Sequence, residues 1–473
     1  MALRSPFLAA AAALLLSACA VGPDYVRATL DVPDGYRETG TWKTAEPQAV
    51  ADRREWWLAY GDATLAGLMQ DAAGANQSLR QAEAQYREAR AIADAARAGL
   101  FPSLGLNAGA QRARTDSNGI HTANAFSAGL SASWEPDLWG SVRRTIESGD
   151  AGAQASADDL AAARLSIQAA LAQDYVQLRI VDVQRDLYAA TVDAYAKALT
   201  LARAQQSAGV ALRSDVALAE SQLAQAQAAA VDLDATRAQL EHAIAVLTGR
   251  APARFALARL PASQPFAMQP PASPATLPSQ LLEHRPDIAA AERRAALANA
   301  NIGVAKAAYF PTLGLSASGG FNAAALGSLF DTPSRVWSLG AALAQTIFDG
   351  GLRRAHTAQA EAAYDVAVAQ YKQTVLAGFQ QVEDNLATLR LLDKESMFQA
   401  QAVKAGQLAE QLALNQYRAG TNSYLNVVTA QTLSLTNQRN AAQLRGRLLA
   451  AGIGLIVATG GGWSADDPDQ QPQ

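Results

Sequence analysis

Side chains that commonly do chemistry are sparse in this 473-residue chain, which holds one cysteine and four histidines. His121, His242, His284 and His356 are scattered, with no partner at the spacing a metal site uses. His284-Arg-Pro-Asp287 puts a base, a cation and a carboxylate within one short stretch. Its proline suits the first turn of a helix and its aspartate suits the positive end of the helix dipole, so the stretch reads as a helix start, not a catalytic set. There is no phosphate loop and no dinucleotide fingerprint. A net charge of −4 with only 17% charged residues argues against nucleic acid as a partner. The expectation is a protein that is not an enzyme and has neither metal nor soluble cofactor.

One reactive residue remains, Cys19. Arg4, the apolar run from Phe7 to Leu16, and Leu16-Ser17-Ala18-Cys19 have the layout of a secretory signal over residues 1–18. The run is too short to span a bilayer, which takes roughly 20 residues. Leu-Ser-Ala-Cys resembles the bacterial lipobox, in which the cysteine becomes the acylated first residue. On that reading the chain carries a covalent lipid, diacylglycerol plus an N-acyl chain, on Cys19; stable anchoring takes more than one acyl chain. Residue 20 is Ala and not the Asp that resembles an inner-membrane retention signal, which favours the outer membrane.

The elements behind these residues come in two copies. Phe101-Pro102-Ser-Leu-Gly-Leu106 returns as Phe310-Pro311-Thr-Leu-Gly-Leu315, and the segment from Gly209 returns from Gly420 at nearly the same offset. Two markers in one order imply a duplicated unit of about half the chain. Residues 19–61 read as the lipid anchor and an extended lead broken by prolines, with Glu55-Trp56-Trp57 as a packing anchor against helices in preference to an interfacial belt. The first repeat covers 62–248, a proline-rich connector 249–276, the second repeat 277–459, and a disordered tail 460–473.

Each repeat opens with a helix that stops at Phe101-Pro102 or Phe310-Pro311, because the residue before proline is pushed out of the α region. The period then changes to two. Leu104, Leu106, Ala108 and Ala110 alternate with small and polar residues; after a loop at Arg112–Thr122, which holds His121, Phe126 to Trp134 alternate likewise. The hairpins span 103–135 and 312–347, the second with strands Leu313–Phe321 and Trp337–Ile347 around a loop at Asn322–Arg335. Strands of about ten residues, apolar on one face, fit a tilted membrane strand with lipid outside and water inside.

Long helical hairpins follow, over 140–248 and 350–459. Their first arms, Gly140 to Ala208 and Gly351 to Ala419, hold no proline and would extend roughly 100 Å at 1.5 Å per residue. A seam through Val366, Ala369, Leu376, Phe379, Val382, Leu386 and Leu389 suits coiled-coil packing. Gly209 and Gly420 mark the reversals, with Ser214-Asp215 expected to cap the returning helix. The reversals are expected at the end far from the membrane strands.

Four membrane strands cannot close a barrel, and open edges in lipid leave backbone groups unpaired at several kcal/mol each. Sister chains must therefore share one barrel. Two copies would give eight strands and three would give twelve, and the physics alone does not choose between them.

Several stretches together resemble a known family: Leu16-Ser-Ala-Cys19, Trp56-Trp57-Leu-Ala-Tyr-Gly-Asp62, His284-Arg-Pro-Asp-Ile288 with Ala291-Glu292, Asn301 to Pro311, and Tyr417-Arg-Ala-Gly-Thr421 with Leu425-Asn-Val. The chain is similar to the TolC-like outer membrane factors, and among them the NodT-type lipoproteins of resistance-nodulation-division (RND) efflux systems. The resemblance implies an α+β membrane protein: a homotrimeric 12-stranded β-barrel, four strands per chain, continuous with a periplasmic α-helical barrel and a mixed equatorial domain. It implies a passive duct for small molecules, lipid-anchored in the cell outer membrane and extending into the periplasm. The implied partners are a periplasmic membrane fusion (adaptor) protein, an inner-membrane RND transporter and outer membrane lipid. By motif match, Asp215 and Tyr417 correspond to an inter-helix latch that holds the periplasmic tip shut. Asn422 falls where an arginine often joins that latch, and Asn426 and Thr429 fall where acidic residues often ring the pore. An uncharged constriction is expected there. Competing readings are a duct for type I protein secretion, a lipid-anchored periplasmic coiled-coil scaffold, and an enzyme on a helical lipoprotein. The alternating strands weigh against the scaffold, and the lack of a polar constellation against the enzyme.

Overall fold

The computed structural model describes residues 20–39, 50–115, 121–260, 266–269 and 284–463. The leader 1–18, Cys19, much of the proline-rich connector and residues 464–473 of the tail lie outside the described residues.

Element order follows the duplication. The first repeat runs α1 (Ala63–Ala75), α2 (Gln77–Ala98), β1 (Ser103–Thr115), β2 (His121–Trp134), α3 (Ser141–Ser207) and α4 (Arg213–Leu247). The second runs α5 (Pro286–Ala307), β3 (Thr312–Ala323), β4 (Arg335–Ala344), α6 (Leu352–Arg418) and α7 (Tyr424–Ala458). Both long helices have 67 residues and both returning helices 35, so the two helical hairpins match residue for residue. By length and composition α7 alone among the described helices could cross a membrane, but 44% of its apolar window is buried, as expected of a core helix.

The opening helix of the first repeat is not continuous. Asn76 is extended; its Oδ1 accepts from Leu79 N at 3.0 Å and its Nδ2 donates to Leu247 O at 2.7 Å. An asparagine that caps one helix and ties it to another breaks what composition alone read as a single helix. Likewise the lead before α1 is not extended throughout: Val50–Tyr60 forms a 3-10 helix.

The chain divides into two compact units. One, from residues 1–30, 84–158 and 290–373, is built around an antiparallel sheet of order β1-β2-β3-β4. Register sets its faces. Leu106 opposes Leu130, Leu130 opposes Gly319, Leu315 opposes Ala341 and Leu313 opposes Leu343, all on one apolar face. The other face carries Ser103, Asn107, Ser131, Ser133, Ser316 and Ser338. Hydroxyls meet there: Ser103 and Ser133 at 2.7 Å, Ser318 and Ser338 at 2.8 Å. Both edge strands, β1 and β4, lack an outer neighbour among the described residues.

Strand ends differ from the alternation pattern. The first hairpin pairs as far as Thr115 opposite His121, so Arg112 to Thr115 and His121 belong to strands and not to the expected loop. Ladder hydrogen bonds need no apolar side chain, and the polar ends simply continue the pairing. β4 starts at Arg335 and stops at Ala344, leaving Gln345 and Ile347 outside it. Gln345 instead donates to Tyr309 O at 3.1 Å.

At the helix-to-strand junctions, Phe101 N and Phe310 N still donate to Ala98 O and Ala307 O, and the following prolines end the helices. Residues 20–27 run over this unit. Val21 N donates to Trp139 O at 3.0 Å. The buried Arg144 guanidinium holds Val21 O, Gly22 O, Asp24 and Glu147. Gly22 has φ +107°, and a Cβ there would lie 2.5 Å from Gly303 Cα, so only glycine permits this crossing.

The second unit, from residues 31–83, 159–289 and 374–473, has the larger core. Trp56, Trp57, Leu65 and Met69 pack on Leu171, Tyr175, Leu178, Ile244 and Leu449. Asp62 caps α1 through Leu65 N and accepts from Tyr175 Oη at 2.7 Å. Asp182 is buried between Arg179 and Arg237 at 3.2 and 2.7 Å, and these arginines donate onward to Ala258 O and Leu257 O. A buried carboxylate shared by two guanidiniums thus fastens the start of the connector to α3 and α4.

The buried seam of α6 differs from the expected one in its first half. Ala367, Tyr371, Val375, Val382, Leu386, Leu389 and Leu392 are buried, whereas Val366, Ala369 and Leu376 are exposed. Apolar residues sit on both flanks of this helix, so sequence periodicity fits either stripe.

Candidate functional site

The two helix reversals are built alike. Gly209 and Gly420 both sit at φ +75°, the left-handed conformation that suits glycine after the last helical turn. Val210 N donates to Gln205 O at 2.9 Å and Thr421 N to Gln416 O at 3.0 Å, closing equivalent turns. Each returning helix begins after an extended residue, Leu212 or Ser423.

Asp215 is not the N-cap. It occupies the third position of α4, where its Oδ2 accepts from Leu212 N at 3.2 Å while its own N–H donates to Leu212 O at 3.1 Å. A carboxylate in the first turn also favours the helix dipole. Asn426 holds the equivalent place in α7, its N–H donating to Ser423 O at 3.2 Å. Its side chain donates to Asn422 Oδ1 at 2.5 Å, and Asn422 Nδ2 donates to Gln416 Oε1 at 3.0 Å. Thr429 Oγ1 donates to Leu425 O at 3.0 Å. Asn426 and Thr429 are exposed and Asn422 is half-buried.

Tyr417 is buried beside the turn. Its ring meets Tyr424 at 5.2 Å with a 55° tilt, among Leu199, Ala202, Val216, Ala219 and Val427. Both phenols are buried, and neither hydroxyl has a hydrogen-bond partner among the described residues. Burial pushes the Tyr424 phenol up to about 12, with Tyr417 and the Asp215 carboxylate adding to it. Burial, then Asp215, raises Tyr417 as well. Asp215 therefore acts on Tyr417 through its field, while its hydrogen bond goes to its own helix start.

Tyr424 and Gln431 escaped the sequence reading. Gln431 is 2% exposed and its Oε1 lacks a partner among the described residues. The available signal was a second tyrosine seven residues after Tyr417, just across the glycine turn. At the second helix-to-strand junction, Trp139 stacks on Phe310 at 4.8 Å and donates to Pro311 O at 2.6 Å. Phe101, the matching residue of the first repeat, is 71% exposed. Among the described residues no group of His, Cys, Asp and Glu could hold a metal.

Comparison with known proteins places this geometry. The model of the outer membrane efflux protein family matches residues 68–250 and 277–461, which cover both repeats. The chain is 33% identical over 465 residues to the pyoverdine export outer membrane protein OpmQ of Pseudomonas aeruginosa, covering 96% of each. It is 29% identical over 485 residues to the toluene efflux pump outer membrane protein TtgF of Pseudomonas putida, covering 99% of each. Among solved structures, the outer-membrane channel OprN matches with a TM-score of 0.85 and 30% identity, over 94% of this chain and 100% of that one. The open state of the Neisseria gonorrhoeae MtrE outer membrane channel matches at 0.80 and 27%, over 95% and 99%. The repeats, the four-stranded sheet and the long helical hairpins are thus those of a family, and this chain belongs to the outer membrane efflux proteins.

Proposed function

We propose that this protein is the outer membrane subunit of a tripartite efflux pump, a passive duct through which small molecules leave the cell. The observation that carries the reading is the sheet: four strands, one apolar exposed face, one face mostly of Ser, Gly, Asn and Ala, and two edges without a neighbour among the described residues. Such edges are untenable in lipid, and sister chains satisfy them. Three copies would supply twelve strands and a water-filled lumen lined by the small polar face. The duct has no energy source of its own, so its partners are an inner-membrane RND transporter and a periplasmic adaptor.

Acylation of Cys19 would hold the mature N-terminus at the membrane. The path of residues 20–24 supports this, because Ala20 lies against Gly140 and Val21 bonds Trp139, next to the ends of β2 and β3. An acyl chain on the preceding residue would begin where the strands begin.

At the helix reversals, Tyr417 with Asp215 would form a closed-state latch, and Asn422, Asn426 and Thr429 an uncharged constriction opened by partners. Purified protein in planar bilayers is expected to give discrete conductance steps. Asp215→Ala with Tyr417→Ala is expected to raise the closed-state leak. Absence of any conductance from the wild type would overturn the duct, and an unchanged leak in the double variant would overturn the latch.

A further inference from the structure

The four strands contain no Asp or Glu, and their only lysines or arginines are Arg112, Arg114 and Arg335. Register puts all three on the apolar face. Arg112 and Arg114 continue the row Leu104, Leu106, Ala108 and Ala110; they oppose Asn124 and Thr122. Arg335 continues the row Leu343, Ala341, Leu339 and Trp337 and opposes Phe321. They also share one end. Arg112 and Arg114 lie in the last turn-ward residues of β1 and Arg335 opens β4, all away from the ends that join the helices. All three are exposed, and none forms an ion pair with another described residue.

Aromatic rings mark the same border. Phe126 and Trp337 lie on this face just inside the arginines, and Phe321, level with Arg335, meets the Phe330 ring at 5.3 Å. Trp134, opposite Leu315, marks the other end. Such belts sit at the two membrane interfaces, with about 25 Å of apolar surface between them. Three uncompensated guanidiniums just past the outer belt, on the face turned to lipid and not to the lumen, can reach headgroup oxygens while their stems lie along the apolar surface. Guanidinium matches phosphate by paired, charge-assisted hydrogen bonds. The two edge strands carry these residues, so closing the sheet with a second copy brings Arg335 of one β4 beside a neighbouring β1 and its Arg112 and Arg114.

We propose that Arg112, Arg114 and Arg335 form a binding site, repeated around the barrel rim, for the phosphates of an acylated, phosphorylated glycolipid of the outer leaflet, of the lipid A type. The inference rests on the sheet being a membrane wall, the reading given above. Zwitterionic phospholipid fits less well, because its ammonium competes for the same phosphate and the four strands hold no carboxylate to receive it.

The test uses the full-length oligomer in nanodiscs containing phosphatidylethanolamine with trace lipid A, followed by detergent exchange and mass spectrometry of the retained lipid. Wild type is expected to retain lipid A over phosphatidylethanolamine, and to retain enzymatically dephosphorylated lipid A about tenfold less. R112Q/R114Q/R335Q is expected to lose about the same factor, and R112K/R114K/R335K to recover part of it. Equal retention of intact and dephosphorylated lipid A by the wild type, an arm that needs no variant to fold, would overturn the proposal. So would unchanged retention by the glutamine variant. Conductance of the wild type in the same preparation separates this outcome from failure of the membrane-wall reading, which alone would abolish the steps.

Discussion

Trp139 stacks on Phe310 at 4.8 Å and donates its indole N–H to Pro311 O at 2.6 Å, so a residue of the first repeat fixes the helix-to-strand junction of the second. Trp139→Phe keeps the stacking and loses the hydrogen bond; Trp139→Ala loses both. Heat dissociation of the oligomer is expected to shift down for Phe by an amount equivalent to about 1 kcal/mol, and for Ala by about 2 kcal/mol. Equal shifts would show that the indole N–H contributes nothing.

Tyr424 buries a hydroxyl that bonds nothing among the described residues. Tyr424→Phe removes a desolvated polar group without opening a cavity, so stability is expected to hold or to rise by up to about 1 kcal/mol. Tyr424→Ala is expected to cost about 3 to 4 kcal/mol. Denaturant unfolding of both variants checks this; a loss on Phe substitution comparable with that on Ala would contradict it.

Alkali should unfold the protein through its tyrosines. Burial raises Tyr25, Tyr36, Tyr175, Tyr195 and Tyr424 to about 12. The folded state then keeps protons that the unfolded chain releases from about pH 10. Their contribution is therefore whole below pH 10 and is lost as pH rises from 10 to 12. Unfolding midpoints measured from pH 8 to 12 should be level and then fall, with a shallower fall in Tyr424→Phe. A flat profile to pH 12 would contradict the burial of these phenols.

Residues 21–24 should detach when their clamp is removed. Arg144 bonds two carbonyls and one carboxylate of that stretch. Arg144→Ala or Gly22→Ala is expected to raise amide exchange at residues 21–25 by about tenfold or more, a loss of over 1.4 kcal/mol locally. Exchange unchanged in both variants would show that the segment is held elsewhere.

At the reversals, alanine at Gly209 or Gly420 must adopt φ +75°. Each substitution is expected to cost about 1 to 2 kcal/mol. The conductance of Gly420→Ala is expected to show more frequent openings, since this turn sets the approach of Tyr417 to Tyr424.

Much of this architecture was legible before any coordinates. Proline after phenylalanine, the change of period at Leu104 and Leu313, and two glycines placed the helix ends and reversals within a residue or two. What stayed hidden depends on partners far along the chain. Asn76 breaks a helix because Leu247 accepts its amide. Arg112 and Arg114 prolong a strand because β2 pairs with them, though their polarity resembles a loop. Asp215 resembles a cap in sequence because only the observed start of α4 shows it at the third helical position. The stripe of α6 was ambiguous because apolar residues lie on both flanks, and packing alone chooses between them.

The central claim is that β1 and β4 are completed by sister chains, three chains to one twelve-stranded barrel. Native mass spectrometry of the unheated, detergent-extracted particle tests it most directly. The account predicts three chains per particle, with no monomer until heating. A stable single chain, or a particle of two, would contradict it.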